Sequence, residues 1–453
     1  MGAASVIQAE LASIGGNGHA STEPEICAAF AIDGIVPGCV LRPATAEQAA
    51  EMLKYAASRG LAVIPCGNGT KLGIGAPPRR YDAALCLRDL NRATYYEPDD
   101  LVVSVEPGMT LGALQQMLAE RRLWLPLDPV GGDCATIGGI LSANSAGALR
   151  LRYGGPRDMV LGMKIATADG KIVKTGGRVV KNVAGYDLAK LLIGSYGTLG
   201  VIVEATFKLY PRVASRTTWA IEIESLAAAR EFRRRLLASP LRPLRAVLLN
   251  AAARAWIESG GSERAGNSGA AIWIEAGGSE RVIARYENEL GALAAHLNFA
   301  TESIEGPVAD EVWSRIVDFG NRLANERPDA VVLKAALPFA VAEEFLERAE
   351  REGRAGGFEL ASVVQLGAGV LEIGVSSTPN PESRTPSPAL IEKLRRLAVD
   401  PGGSLVVTRC PVDLKSRVDV WGPPGDDFGV MRKLKEAWDP KSTLAPGRQV
   451  GSM

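Results

Sequence analysis

Apolar positions recur with changing period along the chain, and the changes mark out its elements. Residues 45–59 carry a helical stripe at Ala49, Leu53 and Ala56. Thr45 and Gln48 form a capping box ahead of it, and Gly60 stops it. Residues 61–64 then read as a short strand, and Pro65 opens a glycine-rich loop. Two further short apolar runs, 84–87 and 101–105, are of strand type, and 110–120 is a second capped helix. From 131 to 162 glycine returns every few residues, which suits tight turns and close backbone approach rather than long helices. Residues 163–167 and 171–175 flank Asp169-Gly170, a hairpin signal. A helix at 186–193 and a strand at 201–209 follow, and Pro211 closes this region.

Beyond it the pattern alternates. Strands are predicted at 219–223, 245–249 and 271–275, with helices at 225–237 and 279–295. A strand, helix, strand order runs through 330–375, followed by a helix at 387–398 and a strand at 404–408. This order predicts an antiparallel sheet covered by helices on one face. Residues 377–386 are rich in Pro and Ser and read as an exposed loop, and 426–438 is a final helix ending at Asp439-Pro440. The expected fold class is α+β. Its domains are 1–213 (two α+β subdomains), 214–400 as a cap of the substrate-binding type, and 401–453 returning to the first.

Composition narrows the function classes. Fifty-one Lys and Arg balance fifty-one Asp and Glu, which argues against a broad nucleic-acid or anionic-membrane surface. Cys27, Cys39, Cys66, Cys86, Cys134 and Cys410 lack zinc or iron–sulfur spacing, and read as small apolar residues in a reducing compartment. The start, MGAASVIQAELASIGG, has no basic stretch leading into an apolar one, so no signal peptide is expected. Met-Gly followed by Ser5 is a short match to a myristoylation signal, of a length that chance often supplies. No apolar run reaches the ~18 residues that span a bilayer. A cytoplasmic protein is expected, with membrane association only through partners.

The candidate chemistry begins at PCGNGTKLG, residues 65–73. A glycine turn after a strand can aim successive backbone N–H groups at a diphosphate. It is neither a Walker loop nor the dinucleotide fingerprint, and by itself it is equally a plain tight turn. Lys71 reads either as a point charge for a phosphate or as a solvated surface lysine. Three more segments join it: ATIGGILSANSAGALRLRYGGPRDMVLG at 135–162, KNVAGYDLAKLLIGSYGTLGVIVEATFKLYP at 181–211, and LKEAWDPKSTLAPGR at 434–448.

Together these four segments resemble the landmarks of FAD-binding flavoproteins of the vanillyl-alcohol oxidase / p-cresol methylhydroxylase type. Within that type the chain looks most like the E-type FAD-binding subunits of bacterial glycolate oxidases. The resemblance is close over 30–212, looser over 401–448 and weakest between. It implies a two-part FAD-binding domain with an α+β cap containing an antiparallel sheet. It implies that Gly67, Asn68, Gly69, Thr70 and Lys71 form the diphosphate loop, and that Thr136, Gly138 and Gly139 make the next contacts. Ala143, Asn144 and Gly147 would follow along the phosphate and ring, and the Ile202 backbone would meet the adenine end. Members that bond the flavin covalently carry a histidine where this chain has Thr70-Lys71, so the FAD is expected to be non-covalent. The sequence GGNGH at 15–19 has the letters of such a loop but no preceding strand, and His19 reads as an exposed loop residue.

Oxidising a 2-hydroxy acid also needs a base for the hydroxyl proton and a cation for the carboxylate. The chain has two histidines, and His296 sits in a helical, apolar context as a partly buried residue. No His/Asp/Glu group has metal-ligand spacing. Tyr153, Arg157 and Arg409 are candidates to line a pocket near the flavin, or are a packed tyrosine and surface arginines. The resemblance implies partners: a second, histidine-rich FAD-containing catalytic subunit and an iron–sulfur subunit, with glycolate oxidised to glyoxylate. On that reading the isolated chain oxidises glycolate poorly or not at all. The alternatives are a stand-alone FAD oxidoreductase acting on another alcohol or 2-hydroxy acid, and a non-catalytic assembly subunit with structural flavin.

Overall fold

The computed structural model describes residues 19–179, 186–259, 269–377 and 384–453. The chain forms two compact units. The first takes in residues 1–146, 155–212 and 423–453, and the second 147–154 and 213–422.

The first unit holds two main sheets. Strands β1 (Ala20–Ser21), β2 (Cys39–Leu41), β3 (Val63–Cys66) and β4 (Ala83–Cys86) form one, in the order β1-β2-β4-β3, with β2, β4 and β3 parallel. Strands β5 (Ala93–Glu97), β6 (Val102–Val105), β8 (Val160–Ala166), β9 (Ile172–Gly176) and β10 (Val201–Lys208) form the other, antiparallel in the order β5-β6-β10-β8-β9. The short pair β7 (Leu123–Trp124) and β11 (Tyr210–Pro211) stands apart. Helix Ala46–Ser58 joins the two sheets. Thr45 accepts from the Gln48 N–H at 3.1 Å, and the Gln48 side chain accepts from the Ala44 N–H at 2.8 Å. Its face Ala49, Met52, Leu53 and Ala56 is buried with Leu41, Val63 and Leu85 of one sheet and Ala166, Val201 and Val203 of the other. Closing β8 to β9 takes Gly170 at φ +80°, as the Asp-Gly signal predicted.

The C-terminal segment completes this unit. Leu444 bridges Val63 in parallel, the Val63 N–H donates to Thr443 and the Ala445 N–H to Val63. The open edge of β3 is thereby covered.

The second unit is one antiparallel sheet of eight strands: β12 (Ser215–Ile223), β13 (Arg245–Leu249), β14 (Ala270–Gly278), β15 (Thr301–Ile304), β16 (Val331–Ala336), β17 (Phe358–Gln365), β18 (Val370–Ser377) and β19 (Ser404–Arg409). Their order is β15-β12-β14-β13-β17-β18-β16-β19. Helices cover both faces, not the one expected. Helices Ala251–Glu258, Gly306–Val317 and Phe319–Glu326 bury Trp256, Trp313 and Phe319 against Val247, Leu249, Trp273 and Val363. On the other face lie Leu226–Ala238, Glu280–His296 and Ala342–Ala355, with Trp219 stacked on Tyr286 and Gly353 against Leu360. The helices of the first set have no counterpart among the predicted elements.

The return to the first unit falls at Pro423, not at 401, because β19 pairs with β16 over Ser404–Arg409. Both histidines sit differently from expectation. His19 is half-buried at the sheet edge, where its ring bonds the Arg42 carbonyl at 2.6 Å. His296 is exposed, two residues beyond buried Ala294 and so on the opposite face of its helix. Residues 1–18, including Ser5 and most of GGNGH, lie outside the described residues, as do 181–185 and much of the 377–386 segment.

Candidate functional site

Strand β3 ends at Cys66, and the chain turns at once into Gly67-Asn68-Gly69-Thr70-Lys71. These five residues line one cleft, open to solvent, within the first unit. The backbone N–H groups of Gly67, Asn68 and Gly69 have no partner among the described residues. Three consecutive donors facing one cleft make a seat for an anion. Gly69 stands at φ +76°, in the left-handed region. Gly67 is needed for a different reason: a Cβ there would fall 2.1 Å from Thr136 Oγ1. The loop is pinned from outside by Asn68 Nδ2, donating to the Cys134 carbonyl at 2.8 Å, and by Arg88 Nε, donating to the Gly67 carbonyl at 3.2 Å.

Thr136 and Gly139 line the same cleft, on or just before helix Ile137–Ser142. Gly138 lines it too, and a Cβ there would meet Pro107 at 2.8 Å, so its lack of a side chain lets this helix sit on the 107–111 segment. The Gly138 N–H donates to Pro107 and the Ile137 N–H to Met109. Ala143 lines the cleft at the helix end, and Ile202 lines it from β10.

Sequence reasoning missed part of this wall. Tyr196 (φ +53°), Gly197 and Gly200 line the cleft from the GSYGTLG loop, and Arg448 lines it from the last landmark. Arg448 is buried, and its Nη2 donates to the carbonyls of Leu72 and Ile74. Burial lowers the Arg448 pKa and pushes the Tyr196 hydroxyl up to about 12. The signal for Arg448 was the quoted LAPGR motif, whose arginine lies far from the loop in sequence. Lys71 is not a solvated surface lysine: it lines the cleft, is buried, and its Nζ donates to the Val130 carbonyl at 2.7 Å and to Thr70 Oγ1 at 3.2 Å. It ties the loop to the 129–132 turn.

Other candidates lie elsewhere. Asn144 adopts φ +46° beside Gly194, just past the helix. Arg157 belongs to the first unit and donates to the Ile193 carbonyl at 3.0 Å. Gly147 and Tyr153 belong to the second unit, where Tyr153 lines a cleft with Arg152, Arg242 and Tyr286. Arg409 is on β19, with Nε and Nη2 donating to Asn321 Oδ1 at 3.1 and 2.8 Å. Among the described residues no three His, Cys, Asp or Glu side chains are grouped to hold a metal. No described helix is long and apolar enough to cross a membrane.

Comparison with known proteins identifies the cofactor. Residues 37–176 match the family model described as FAD binding domain. The chain is 32% identical over 208 residues to glycolate oxidase subunit GlcD of Bacillus subtilis, a match covering 46% of this chain and 44% of that protein. It is 28% identical over 428 residues to D-lactate dehydrogenase of Archaeoglobus fulgidus, covering 91% of each. Among solved structures, 4-ethylphenol oxidase from Gulosibacter chungangensis superposes with a TM-score of 0.77 at 16% identity, covering 98% of this chain and 96% of that one. p-Cresol methylhydroxylase does so with a TM-score of 0.75 at 17% identity, over the same shares. The fold is thus the α+β architecture of these FAD oxidases, and the cofactor is FAD. The unpartnered N–H groups and the side-chain-free cradle at Gly67 fit its diphosphate.

Proposed function

We propose that this chain is an FAD-dependent oxidoreductase of 2-hydroxy acids, working as the E-type FAD-binding subunit of a glycolate oxidase assembly that converts glycolate to glyoxylate. The similarity over 91% of the chain to a D-lactate dehydrogenase carries the substrate class. The match to a glycolate oxidase subunit and the quoted landmarks favour glycolate and a multi-subunit setting. Bound FAD supplies a hydride acceptor. The chain's own part is to seat the diphosphate on Gly67, Asn68 and Gly69, with Thr136, Gly139, Ala143 and Ile202 along the cleft. A second FAD-containing subunit and an iron–sulfur subunit complete the proposed assembly, in the cytoplasm.

The test is anaerobic flavin reduction. Glycolate added to the FAD-loaded chain alone is expected to bleach the flavin absorbance slowly or not at all. Bleaching within seconds is expected once a histidine-rich flavin subunit and an iron–sulfur subunit are added. Full rapid bleaching by the chain alone would replace the subunit reading with a stand-alone enzyme. No bleaching in either case, by glycolate or D-lactate, would remove the 2-hydroxy acid reading.

The FAD is proposed to be non-covalent, since Thr70 and buried Lys71 stand where a flavin-anchoring histidine would be. Acid precipitation is expected to leave all flavin in the supernatant, and yellow colour retained on the washed pellet would show a covalent link.

A further inference from the structure

Strands β3 and β4 run parallel, and Cys66, the last residue of one, is the direct partner of Cys86, the last residue of the other. Partners on neighbouring strands leave the same face of the sheet, with their backbones about 5 Å apart. That separation is within the reach of a disulfide. Both thiols are free and buried, and both pack in one cluster with Ile64, Tyr81 and Ala84. Cys66 Sγ leans onto β4, 3.7 Å from the carbonyl oxygen of Leu85, the neighbour of Cys86. A hydrogen bond joins the two side chains.

The two cysteines are not equivalent. Cys66 lines the cleft that opens to solvent, whereas Cys86 is fully buried. The hydrogen bond from Cys66 lowers the Cys86 pKa, against the effect of burial, and the Arg88 N–H and the Arg88 and Arg42 guanidinium groups lower it further. The same hydrogen bond and burial raise Cys66. Cys86 is thus placed to take the proton of its neighbour, and a thiol that can lose its proton is the reactive kind. The pair also sits at the root of the glycine loop. Gly67 follows Cys66 directly, the Cys66 carbonyl accepts from the Leu87 N–H at 2.9 Å, and Arg88 Nε holds the Gly67 carbonyl at 3.2 Å. A bond between the sulfurs draws the end of β3 toward β4, and Gly67 moves with it.

We propose that Cys66 and Cys86 are a reversible redox pair, which a peroxide closes to a disulfide and which thereby weakens FAD binding. The effect on FAD rests on the reading that the 67–71 loop seats the diphosphate; the thiol chemistry rests on the strand pair alone. The Cys66 sulfur attacks one peroxide oxygen as its proton passes to Cys86; the O–O bond breaks and hydroxide leaves. The Cys86 sulfur then attacks the sulfenic sulfur of Cys66, so that the S–S bond forms, the S–O bond breaks and a second hydroxide leaves. The two hydroxides take up the two thiol protons. Two thiols lose two electrons, and one hydrogen peroxide becomes two waters. In a reducing compartment such a disulfide is transient, which suits a sensor rather than a staple.

The test uses the full chain, freed of FAD, treated with hydrogen peroxide, alkylated and digested with trypsin without reduction. Cleavage at Lys71, Arg79 and Arg80 puts Cys66 and Cys86 on separate peptides unless they are joined. A joined peptide is expected by mass spectrometry, and dithiothreitol is expected to abolish it. FAD titration of the oxidised chain is expected to show affinity lower by about fivefold or more, the lower end of typical coupling between two sites. Dithiothreitol restores it. C86S is expected to give no joined peptide and no such loss on peroxide treatment. Exposed Cys134 reports that peroxide reached the protein. Oxidation of Cys134 without a joined peptide, at an unchanged circular dichroism spectrum, would overturn the proposal, as would an equal loss of FAD affinity in peroxide-treated C86S. A joined peptide with unchanged FAD affinity would also overturn it, and the fate of the loop reading then follows from Gly67→Val. Loss of flavin in that variant leaves the loop as the FAD seat, and full flavin content removes both.

Discussion

Gly67→Val is expected to strip the protein of FAD while leaving most of its secondary structure intact. The cause is space. Even a Cβ at this position would lie 2.1 Å from Thr136 Oγ1, 2.9 Å from its Cγ2 and 3.0 Å from its Cβ. Thr136 has nowhere to go, because it precedes a helix anchored to Pro107 and Met109 by backbone bonds. The loop must therefore shift, and its three unpartnered N–H groups lose their aim. Overpacking of this kind costs about 1–3 kcal/mol, and each 1.4 kcal/mol is about tenfold in affinity. Purified G67V should carry less than about a tenth of the wild-type flavin per chain. Gly69→Ala makes a useful contrast. A Cβ at Gly69 meets only Leu72 Cδ1, at 3.6 Å, so the cost there is the left-handed backbone, about 1–2 kcal/mol. Flavin loss in G69A should be partial. Flavin absorbance against protein concentration, beside the circular dichroism spectrum, measures both. Full flavin content in G67V would show that the loop is only a turn.

Asp439→Ala is expected to destabilise the first unit by about 3–5 kcal/mol, the range for leaving one member of a buried ion pair alone. Asp439 is buried, and its carboxylate accepts from Lys435 Nζ at 2.6 Å and from the N–H groups of Thr443 and Leu444 at 2.9 and 2.8 Å. Lys435 Nζ also donates to the carbonyls of Thr198 and Leu444, both at 2.8 Å. The pair thus ties the C-terminal segment to the GSYGTLG loop that lines the cleft of the 67–71 loop. Without Asp439 the lysine remains buried and charged with no counterion. Burial already lowers the Lys435 pKa. A lysine whose native pKa is depressed costs stability below that pKa, and the cost is relieved as pH rises toward its unfolded value. D439A should accordingly lose less stability at pH 10 than at pH 7. Urea unfolding at the two pH values, with flavin release followed alongside, checks both statements. A loss below 1 kcal/mol at pH 7 would mean that the segment is held by its Val63 pairing alone.

How much of this was legible beforehand depends on the range over which each feature is set. Caps and turns are local. Thr45 with Gln48, Thr110 with the Ala113 N–H, Ser225 with the Ala228 N–H and Ser387 with the Leu390 N–H all start helices near where the sequence placed them. The glycine loop at 67–71 was legible for the same reason: positive φ and close approach are demanded of particular residues, and glycine meets them. Ten of the twelve residues named for FAD line one cleft, while Asn144 lies just past its helix and Gly147 falls in the second unit. Asn250, which caps helix Ala251–Glu258 by accepting from the Ala253 N–H, was an available signal that went unused.

The sequence by itself determined the glycine loop at 67–71, the class of fold and the approximate limits of most elements, because those follow from contacts within a turn or two of chain. Only the tertiary structure decided that helices cover both faces of the second sheet, that β19 belongs to it, and that Arg448 reaches the cleft. It alone set Cys66 opposite Cys86 across β3 and β4. These outcomes depend on strand order and register, where a slip of one residue turns every side chain to the other face. Register is chosen by the summed burial of many distant apolar residues, so it leaves no mark in the few residues whose chemistry it brings together.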